Sequence, residues 1–155
     1  MQWSDVITDP ALKDLPYKIE TNEYGQLVMS PHKRRHAIWQ GEIEWCLRQC
    51  LPQGRTAPEF AVDTDSGTKT PDVVWYSRDR EAQLLADQRL APEICIEVLF
   101  NSKTEREMAT KRTLYFAAGA LEVWQCDDSG ALRFFTPAGE QPQSTLAPQF
   151  PRQLD

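Results

Sequence analysis

The pattern of apolar and polar positions is clearest between residues 94 and 99, where apolar residues occupy both faces of a predicted strand. A period of two puts Ile94, Ile96 and Val98 on one face and Cys95, Glu97 and Leu99 on the other. A strand that is apolar on both faces is covered on both sides. We therefore expect Glu97 in a nearly dry sheet interior, where an acid needs a partner, a proton or a metal ion.

A helix is predicted directly after this strand, over residues 103–118. Two capping patterns overlap at its start, Ser102 with Glu105 and Thr104 with Glu107. Gly119 suits a left-handed C-cap at its end. The strand and the helix are therefore consecutive elements joined by a short loop.

Lys111 falls on the apolar stripe of this helix. It lies three residues after Met108 and four before Tyr115, so its side chain points at the sheet rather than at water. A structural interpretation is that it snorkels to the rim and pairs with a nearby acid, since lysine is hardly ever fully buried without a partner. A functional interpretation is that it serves the chemistry of the buried acid.

Hairpins and helices are predicted around this unit. In chain order they are a short helix or turn over 3–15, a hairpin of Tyr17–Glu20 and Gln26–Met29, a helix over 32–51, a hairpin of Glu59–Asp63 and Pro71–Tyr76, a polar helical connector over 77–91, antiparallel strands Leu121–Cys126 and Ala131–Thr136, and an extended tail over 137–155. These elements predict a single domain over residues 1–155 of the α+β (α/β) class, a mixed β-sheet core flanked by helices. We expect about five to seven strands, with the long helix on one face and helix 103–118 on the other.

Composition excludes several classes of protein. No run approaches the ~18 apolar residues that a membrane helix needs, and the first ten residues lack the basic and apolar regions of a signal peptide. The four cysteines form no C-x-x-C pair and sit within apolar patterns, which indicates buried thiols in a reducing cytoplasm. The net charge of −6 weighs against a large constitutive nucleic-acid footprint. It is compatible with an enzyme whose acidic site loads metal cations before it meets a phosphate backbone.

The only cluster of basic residues is Lys33-Arg34-Arg35-His36, at the start of the long helix. Charge runs at helix ends are usually solvated surface, and basic residues at an N-terminus oppose the helix dipole. The alternative is that the cluster contacts phosphates of a nucleic acid.

Asp72 opens a predicted strand, a position where turn chemistry alone often explains an aspartate. Two carboxylates on sheet strands beside an inward lysine, however, make a site for a hard divalent cation, because Mg²⁺ takes one or two carboxylates plus phosphate oxygens and water. Such an ion polarises the phosphate and lowers the pKa of a bound water, while the lysine either holds that water or stabilises the growing charge. The sequence has no Gly-rich phosphate loop, G-x-S-x-G elbow or H-E-x-x-H helix. With two histidines, a histidine-rich transition-metal site is not expected.

The same residues belong to a longer set of motifs. In chain order these are Thr70-Pro71-Asp72-Val73-Val74, Ile96-Glu97-Val98-Leu99, Ser102, Lys111, Tyr115, Ala117-Ala118-Gly119, Glu122-Val123-Trp124 and Asp127. Together they resemble the Uma-two family of the PD-(D/E)XK, or restriction-endonuclease-like, superfamily. The resemblance spans roughly residues 15–137 and implies a restriction-endonuclease-like fold.

The resemblance also implies roles for individual residues. Asp72 and Glu97 would be the metal-binding acids. The usual lysine position of the superfamily falls on Leu99, and Lys111 stands where the family commonly places that lysine. The run Phe100-Asn101-Ser102 replaces a Ser-Pro-Ser run that is usual in the family, although Asn101 is still polar and suited to orienting a water.

An acid from the N-terminal part often completes sites of this family. Glu20 is our choice by resemblance, and Glu42 and Glu44 on the long helix are its rivals. The predicted catalytic set is therefore Glu20, Asp72, Glu97 and Lys111, with Lys33, Arg34 and Arg35 as nucleic-acid contacts.

Four functions are open at this point. The leading prediction is a cytoplasmic endonuclease that hydrolyses DNA phosphodiester bonds with Mg²⁺ or Mn²⁺. The alternatives are a catalytically inactive nuclease-fold module for binding or regulation, a nuclease acting on RNA or branched DNA, and a structural domain in which Asp72, Glu97 and Lys111 form a buried ion network. The expected partner is DNA and not a membrane, with a homodimer open as an assembly.

Overall fold

The computed structural model describes residues 1–99 and 104–155. Its elements, in chain order, are α1 (Trp3–Thr8), β1 (Tyr17–Thr21), β2 (Leu27–Pro31), α2 (Arg34–Cys50), β3 (Gly54–Pro58), β4 (Val62–Thr64), β5 (Gly67–Lys69), β6 (Val73–Ser77), α3 (Arg78–Ala86), β7 (Ile94–Val98), α4 (Glu105–Ala117), β8 (Glu122–Cys126), β9 (Leu132–Thr136) and β10 (Gly139–Gln141). The predicted α+β class is confirmed.

The central sheet has six strands in the order β10-β9-β8-β7-β6-β3. β7 and β8 pair in parallel, and the other neighbouring pairs are antiparallel. A parallel pair needs a crossover connection, and α4 lies in the segment that joins these two strands. β7 therefore lies between β6 and β8, inside the sheet, as its two-sided apolar pattern predicted.

The two faces of β7 belong to different core clusters. Ile94 and Ile96 pack in one cluster with Ile43 of α2. Cys95 packs in the other cluster with Tyr115 of α4. The two long helices thus cover opposite faces of the sheet, as expected.

The helix α4 begins after Thr104, whose hydroxyl accepts a hydrogen bond from the Glu107 amide at 3.1 Å. Of the two predicted capping patterns, this is the Thr104 pattern. Gly119 adopts φ +108°, which suits the left-handed end predicted for the helix. The predicted roles of Ser102 and Asn101 lie outside the described residues.

The predicted pairing of Glu59–Asp63 with Pro71–Tyr76 is wrong. β6 pairs instead with β3, a strand that was not predicted, and β4 pairs with β5 in a small separate hairpin. β3 is an edge strand, and Pro58 is its last residue. Proline has no backbone N–H to donate, which an edge strand tolerates. Gly54 and Pro58 indicate a turn or loop in the local sequence, so β3 was not predicted. Its pairing with the distant strand β6 stabilises it.

The hairpin β1–β2 is held against the hairpin β4–β5. The Thr68 amide donates to Thr21 Oγ1, and Lys69 Nζ donates to the Thr21 carbonyl oxygen, both at 2.8 Å. At Gly67, whose φ is +93°, a Cβ atom would lie 2.5 Å from that carbonyl oxygen, so only glycine allows this approach. These contacts fix β1 where its inward side chains reach the central sheet.

The predicted tail pairs as β10 with β9 and then returns across the α2 side of the core. Its anchor is the buried carboxylate of Glu122, which is 2% exposed. This carboxylate accepts hydrogen bonds from Ser144 Oγ at 2.7 Å, Trp124 Nε1 at 3.0 Å and the Leu146 amide at 2.7 Å. A structural acid therefore lies on β8, outside the predicted site.

All four cysteines are free thiols. The predicted burial is confirmed for Cys95 and Cys126 and is wrong for Cys46 and Cys50, which are half-buried. None of the helices in the described ranges combines the length and apolar composition that a bilayer crossing requires.

Candidate active site

The polar face of β1 is buried. Lys18 and Glu20 lie two residues apart on one face and are 8% and 5% exposed, whereas Tyr17 on the other face is 42% exposed. An amphipathic strand normally buries its apolar face. β1 buries charged side chains instead, so these side chains need partners across the sheet.

Asp72 lies just before β6 and is held from several directions. Its Oδ1 atom accepts a hydrogen bond from Lys18 Nζ at 3.1 Å, and its Oδ2 atom accepts one from the Val98 amide at 2.8 Å. His36 Nε2 lies 3.3 Å from the same Oδ2 atom, and Gln40 Nε2 donates to the Asp72 carbonyl oxygen at 2.7 Å. The first two turns of α2 thus position the backbone and the side chain of this acid.

Glu97 on β7 has partners for both carboxylate oxygens. Its Oε1 atom accepts a 2.6 Å hydrogen bond from the Tyr115 hydroxyl and lies 3.2 Å from Lys111 Nζ. Its Oε2 atom accepts from Lys18 Nζ at 3.1 Å. These contacts compensate for the removal of the carboxylate from water.

Lys111 links Glu97 to Glu20. Its Nζ atom lies 2.9 Å and 3.0 Å from the two carboxylate oxygens of Glu20, and the side chain is 12% exposed. The Thr70 amide donates to Glu20 Oε2 at 2.7 Å, which fixes this acid as well. Lys111 therefore points at the sheet and contacts acids, which agrees with both the structural and the functional interpretation.

The four residues of the predicted catalytic set lie in one buried cluster, which we call the acid–lysine cluster. It consists of Lys18, Glu20, Asp72, Glu97 and Lys111. Its three carboxylates outnumber its two ammonium groups by one. Within the described part of the chain, neither Glu42 nor Glu44 is linked to the cluster by a hydrogen bond or an ion pair.

The predicted nucleic-acid contacts Lys33, Arg34 and Arg35 are all exposed at the start of α2. His36, the fourth residue of that basic run, is buried at 6% exposure beside Asp72. The run therefore divides into an exposed cationic part and one buried histidine.

Burial and neighbouring charges shift the pKa values of the three acids of the cluster in different directions. Burial opposes ionisation of Asp72 and Glu20, but the lysine charges and hydrogen bonds outweigh it and hold the pKa of each carboxyl below its usual range. Burial raises the pKa of Glu97 above its ordinary value, against the attraction of the same lysines. Burial disfavours the charged form of Lys18, but the surrounding carboxylates outweigh this and raise its pKa. Two neighbouring acids with pKa values displaced in opposite directions are a common feature of acid–base sites.

Two spaces adjoin the cluster. A cavity of about 20 Å³ is lined by Lys18, His36, Asp72, Glu97, Met108 and Lys111, which is enough room for one water molecule. A cleft of about 340 Å³ between the β1–β2 hairpin and α4 reaches Glu20 and Lys111 from outside. A polar substrate group therefore has a route to the buried cluster.

Two members of the site, Lys18 and His36, were not predicted from the sequence. Lys18 lies two residues before Glu20, so a strand that points Glu20 inward also points Lys18 inward. His36 lies seven residues before Ile43, on the face of α2 that meets the sheet. The alternatives weighed for the basic run were solvated surface and phosphate contact, and His36 fits neither of them, because it is buried beside Asp72.

The donor chemistry of the cluster fits a hard divalent cation, because carboxylate oxygens from separate elements converge on one cationic position. That position is taken by the ammonium group of Lys18. Among residues 1–99 and 104–155, no three His, Cys, Asp or Glu side chains are grouped closely enough to hold a metal ion.

The six-stranded mixed sheet with helices on both faces matches the fold of a solved structure. A crystal structure from Anabaena variabilis ATCC 29413, described as a putative nuclease belonging to DUF820, has a similar fold with a TM-score of 0.69. It is 16% identical in sequence, and the match covers 88% of this chain and 86% of that one.

A family model described as "Putative restriction endonuclease" matches residues 11–155, and the chain belongs to this Uma2 (Uma-two) family. No curated protein matches the sequence.

Proposed function

We propose that this protein is a metal-dependent endonuclease that hydrolyses DNA phosphodiester bonds with Mg²⁺ or Mn²⁺. The observation that carries the proposal is the convergence of Asp72 and Glu97 on one cationic position, with Lys111 Nζ 3.2 Å from Glu97. Asp72 directly precedes β6 and Glu97 lies on the neighbouring strand β7, in a chain that belongs to the Uma2 family. Carboxylates and a lysine at one point are the groups that metal-assisted phosphodiester hydrolysis needs.

In this proposal Asp72 and Glu97 hold the metal ion, which supplies polarisation of the phosphate and a lowered pKa for a bound water when present. The Val98 amide and the Tyr115 hydroxyl orient the two carboxylates. Lys111, fixed by Glu20, stabilises negative charge that develops on the phosphate.

Cleavage of supercoiled plasmid tests the proposal. We expect nicking or linearisation in millimolar Mg²⁺ or Mn²⁺ and none when EDTA is added. Single-stranded, branched and RNA substrates in the same assay identify the preferred nucleic acid. If the folded wild-type protein cuts none of these substrates with either metal, the endonuclease proposal is wrong.

A second candidate is a catalytically inactive module that keeps the nuclease fold for binding or regulation. The observation that favours it is Lys18, whose ammonium group already pairs with both acids that would hold a metal ion. In that case DNA or another partner binds without metal and is not cut. The plasmid assay, combined with a binding assay in EDTA, separates the two functions.

The exposed arginines of α2 are expected to bind the phosphate backbone. Replacing Arg34 and Arg35 with alanine should weaken DNA binding. It should also reduce the magnitude of the negative slope of log K against log salt by about 1 per arginine, because fewer counterions are released from the DNA when fewer phosphates are contacted. Fluorescence anisotropy with labelled DNA at several salt concentrations measures this slope. Arg78→Ala is the control, because Arg78 is exposed at the opposite end of β6 from Asp72. An unchanged slope in the Arg34/Arg35 variant would exclude this surface.

A further inference from the structure

Lys18 is one of the two residues of the site that were not predicted from the sequence, and the proposed mechanism does not use it. Its Nζ atom lies 3.1 Å from Asp72 Oδ1, 3.1 Å from Glu97 Oε2 and 3.9 Å from Glu20 Oε2. One oxygen from each acid of the cluster therefore faces the same ammonium group. This ammonium group lies where a cation bound to both Asp72 and Glu97 would have to lie.

We propose that Lys18 is a built-in competitor of the metal ion, so that its ammonium group must leave Asp72 and Glu97 before a divalent cation can bind them. The inference rests on the metal part of the proposed function. It assigns Lys18 a role in setting metal affinity and not a contact with the substrate.

Size and charge make the two cations mutually exclusive. Mg²⁺ binds carboxylate oxygens at about 2.0–2.1 Å, so an ion bound to both Asp72 Oδ1 and Glu97 Oε2 would lie between these atoms, in the position that the Lys18 ammonium group takes. Two positive charges a few ångströms apart also repel strongly in a buried site. The small cavity beside Lys18 extends to His32, whose side chain is 36% exposed, and gives the lysine side chain a direction in which to move.

The competition has a consequence for the metal-free protein. With Lys18 in place, two ammonium groups face the three carboxylates and the cluster is nearly neutral. Without Lys18, the carboxylates repel one another, and a divalent cation relieves that repulsion. Removal of the lysine should therefore make folding stability depend on metal.

The variant Lys18→Gln tests this, with thermal melts and calorimetric Mn²⁺ titrations on the full chain. We expect a lower melting temperature than wild type without metal and Mn²⁺ binding at least about tenfold tighter. At saturating Mn²⁺ the variant should gain about 5–10 °C, more than wild type gains at the same concentration. Lys18→Arg keeps the positive charge, so its Mn²⁺ affinity and its gain in melting temperature with Mn²⁺ should be as small as those of wild type.

The control is Arg80→Gln, which removes a cation 3.6 Å from Glu93, a buried acid outside the cluster. This variant should lose stability without gaining affinity for Mn²⁺. If Lys18→Gln binds Mn²⁺ no more tightly than wild type does, Lys18 is a structural counter-ion and the inference is wrong.

The outcomes also separate this inference from the proposed function. Tighter Mn²⁺ binding by Lys18→Gln without DNA cleavage by either protein would support the competitor role and refute the endonuclease. DNA cleavage by wild type, together with unchanged Mn²⁺ affinity in Lys18→Gln, would support the endonuclease and refute the competitor role. If Lys18→Gln does not fold, NMR of the wild-type lysine ammonium groups decides: Mg²⁺ should shift the Lys18 signal, and an unshifted signal at saturating metal would overturn the inference.

Discussion

Glu97→Gln and Asp72→Asn are each expected to abolish metal-dependent DNA cleavage, with rates at least about 10³-fold below wild type. Each change removes a negative charge and an anionic ligand oxygen from a cluster in which both acids face one cationic position. The amide replacement keeps the size of the side chain, so the loss should come from charge and not from a cavity. Plasmid cleavage under single-turnover conditions measures the rates.

Folding must be checked in the same variants, because breaking a buried ion pair from one side costs about 3–5 kcal/mol. That is a large part of a typical stability of about 5–15 kcal/mol. Glu122→Gln is the matched control, since Glu122 is a 2% exposed carboxylate with three hydrogen bonds outside the cluster. We expect it to lose stability and still cleave DNA. A folded Glu97→Gln protein that cuts DNA as fast as wild type would refute the role of Glu97.

Lys111→Met is expected to lower the cleavage rate by about 10²–10³-fold while Mn²⁺ binding is kept or strengthened. The methionine fills the same apolar stripe between Met108 and Tyr115, both of which are buried, without the charge that would stabilise the phosphate. Removing a positive charge next to Glu97 also cannot weaken the attraction of this acid for a cation. Single-turnover cleavage and a calorimetric Mn²⁺ titration give the two readouts.

Arg112→Met is the control for Lys111→Met, because Arg112 is the next residue of the same helix. Its side chain is 14% exposed, close to the 12% of Lys111, and it contacts Glu105 and the Phe135 ring instead of the acid–lysine cluster. This control should cleave DNA at a rate near that of wild type. Loss of Mn²⁺ binding in Lys111→Met would show that the lysine maintains the site and does not act on the phosphate.

Local sequence patterns were sufficient to predict side-chain direction in the central strand β7 and in the helix α4. The two-sided apolar period of β7 placed Glu97 inside the sheet, and the stripe of α4 pointed Lys111 at the same layer, because side-chain direction follows from backbone periodicity. Glu20 and Asp72 were placed by family resemblance, and the structure brings both into the cluster with these two residues. The two helices that cover opposite faces of the sheet were predicted for the same local reason.

The sequence by itself therefore determined that β7 and the two long helices form, and which way Glu97 of β7 and Lys111 of α4 point. Only the tertiary structure decided that β3 pairs with β6, that β1 turns its charged face inward, and that Lys18 and His36 join the site. Burial of the charged face of β1 is favourable only because Asp72 and Glu97 lie opposite Lys18, and Lys111 of α4 lies opposite Glu20. Such compensation depends on residues that are distant in the chain, and no local period encodes it.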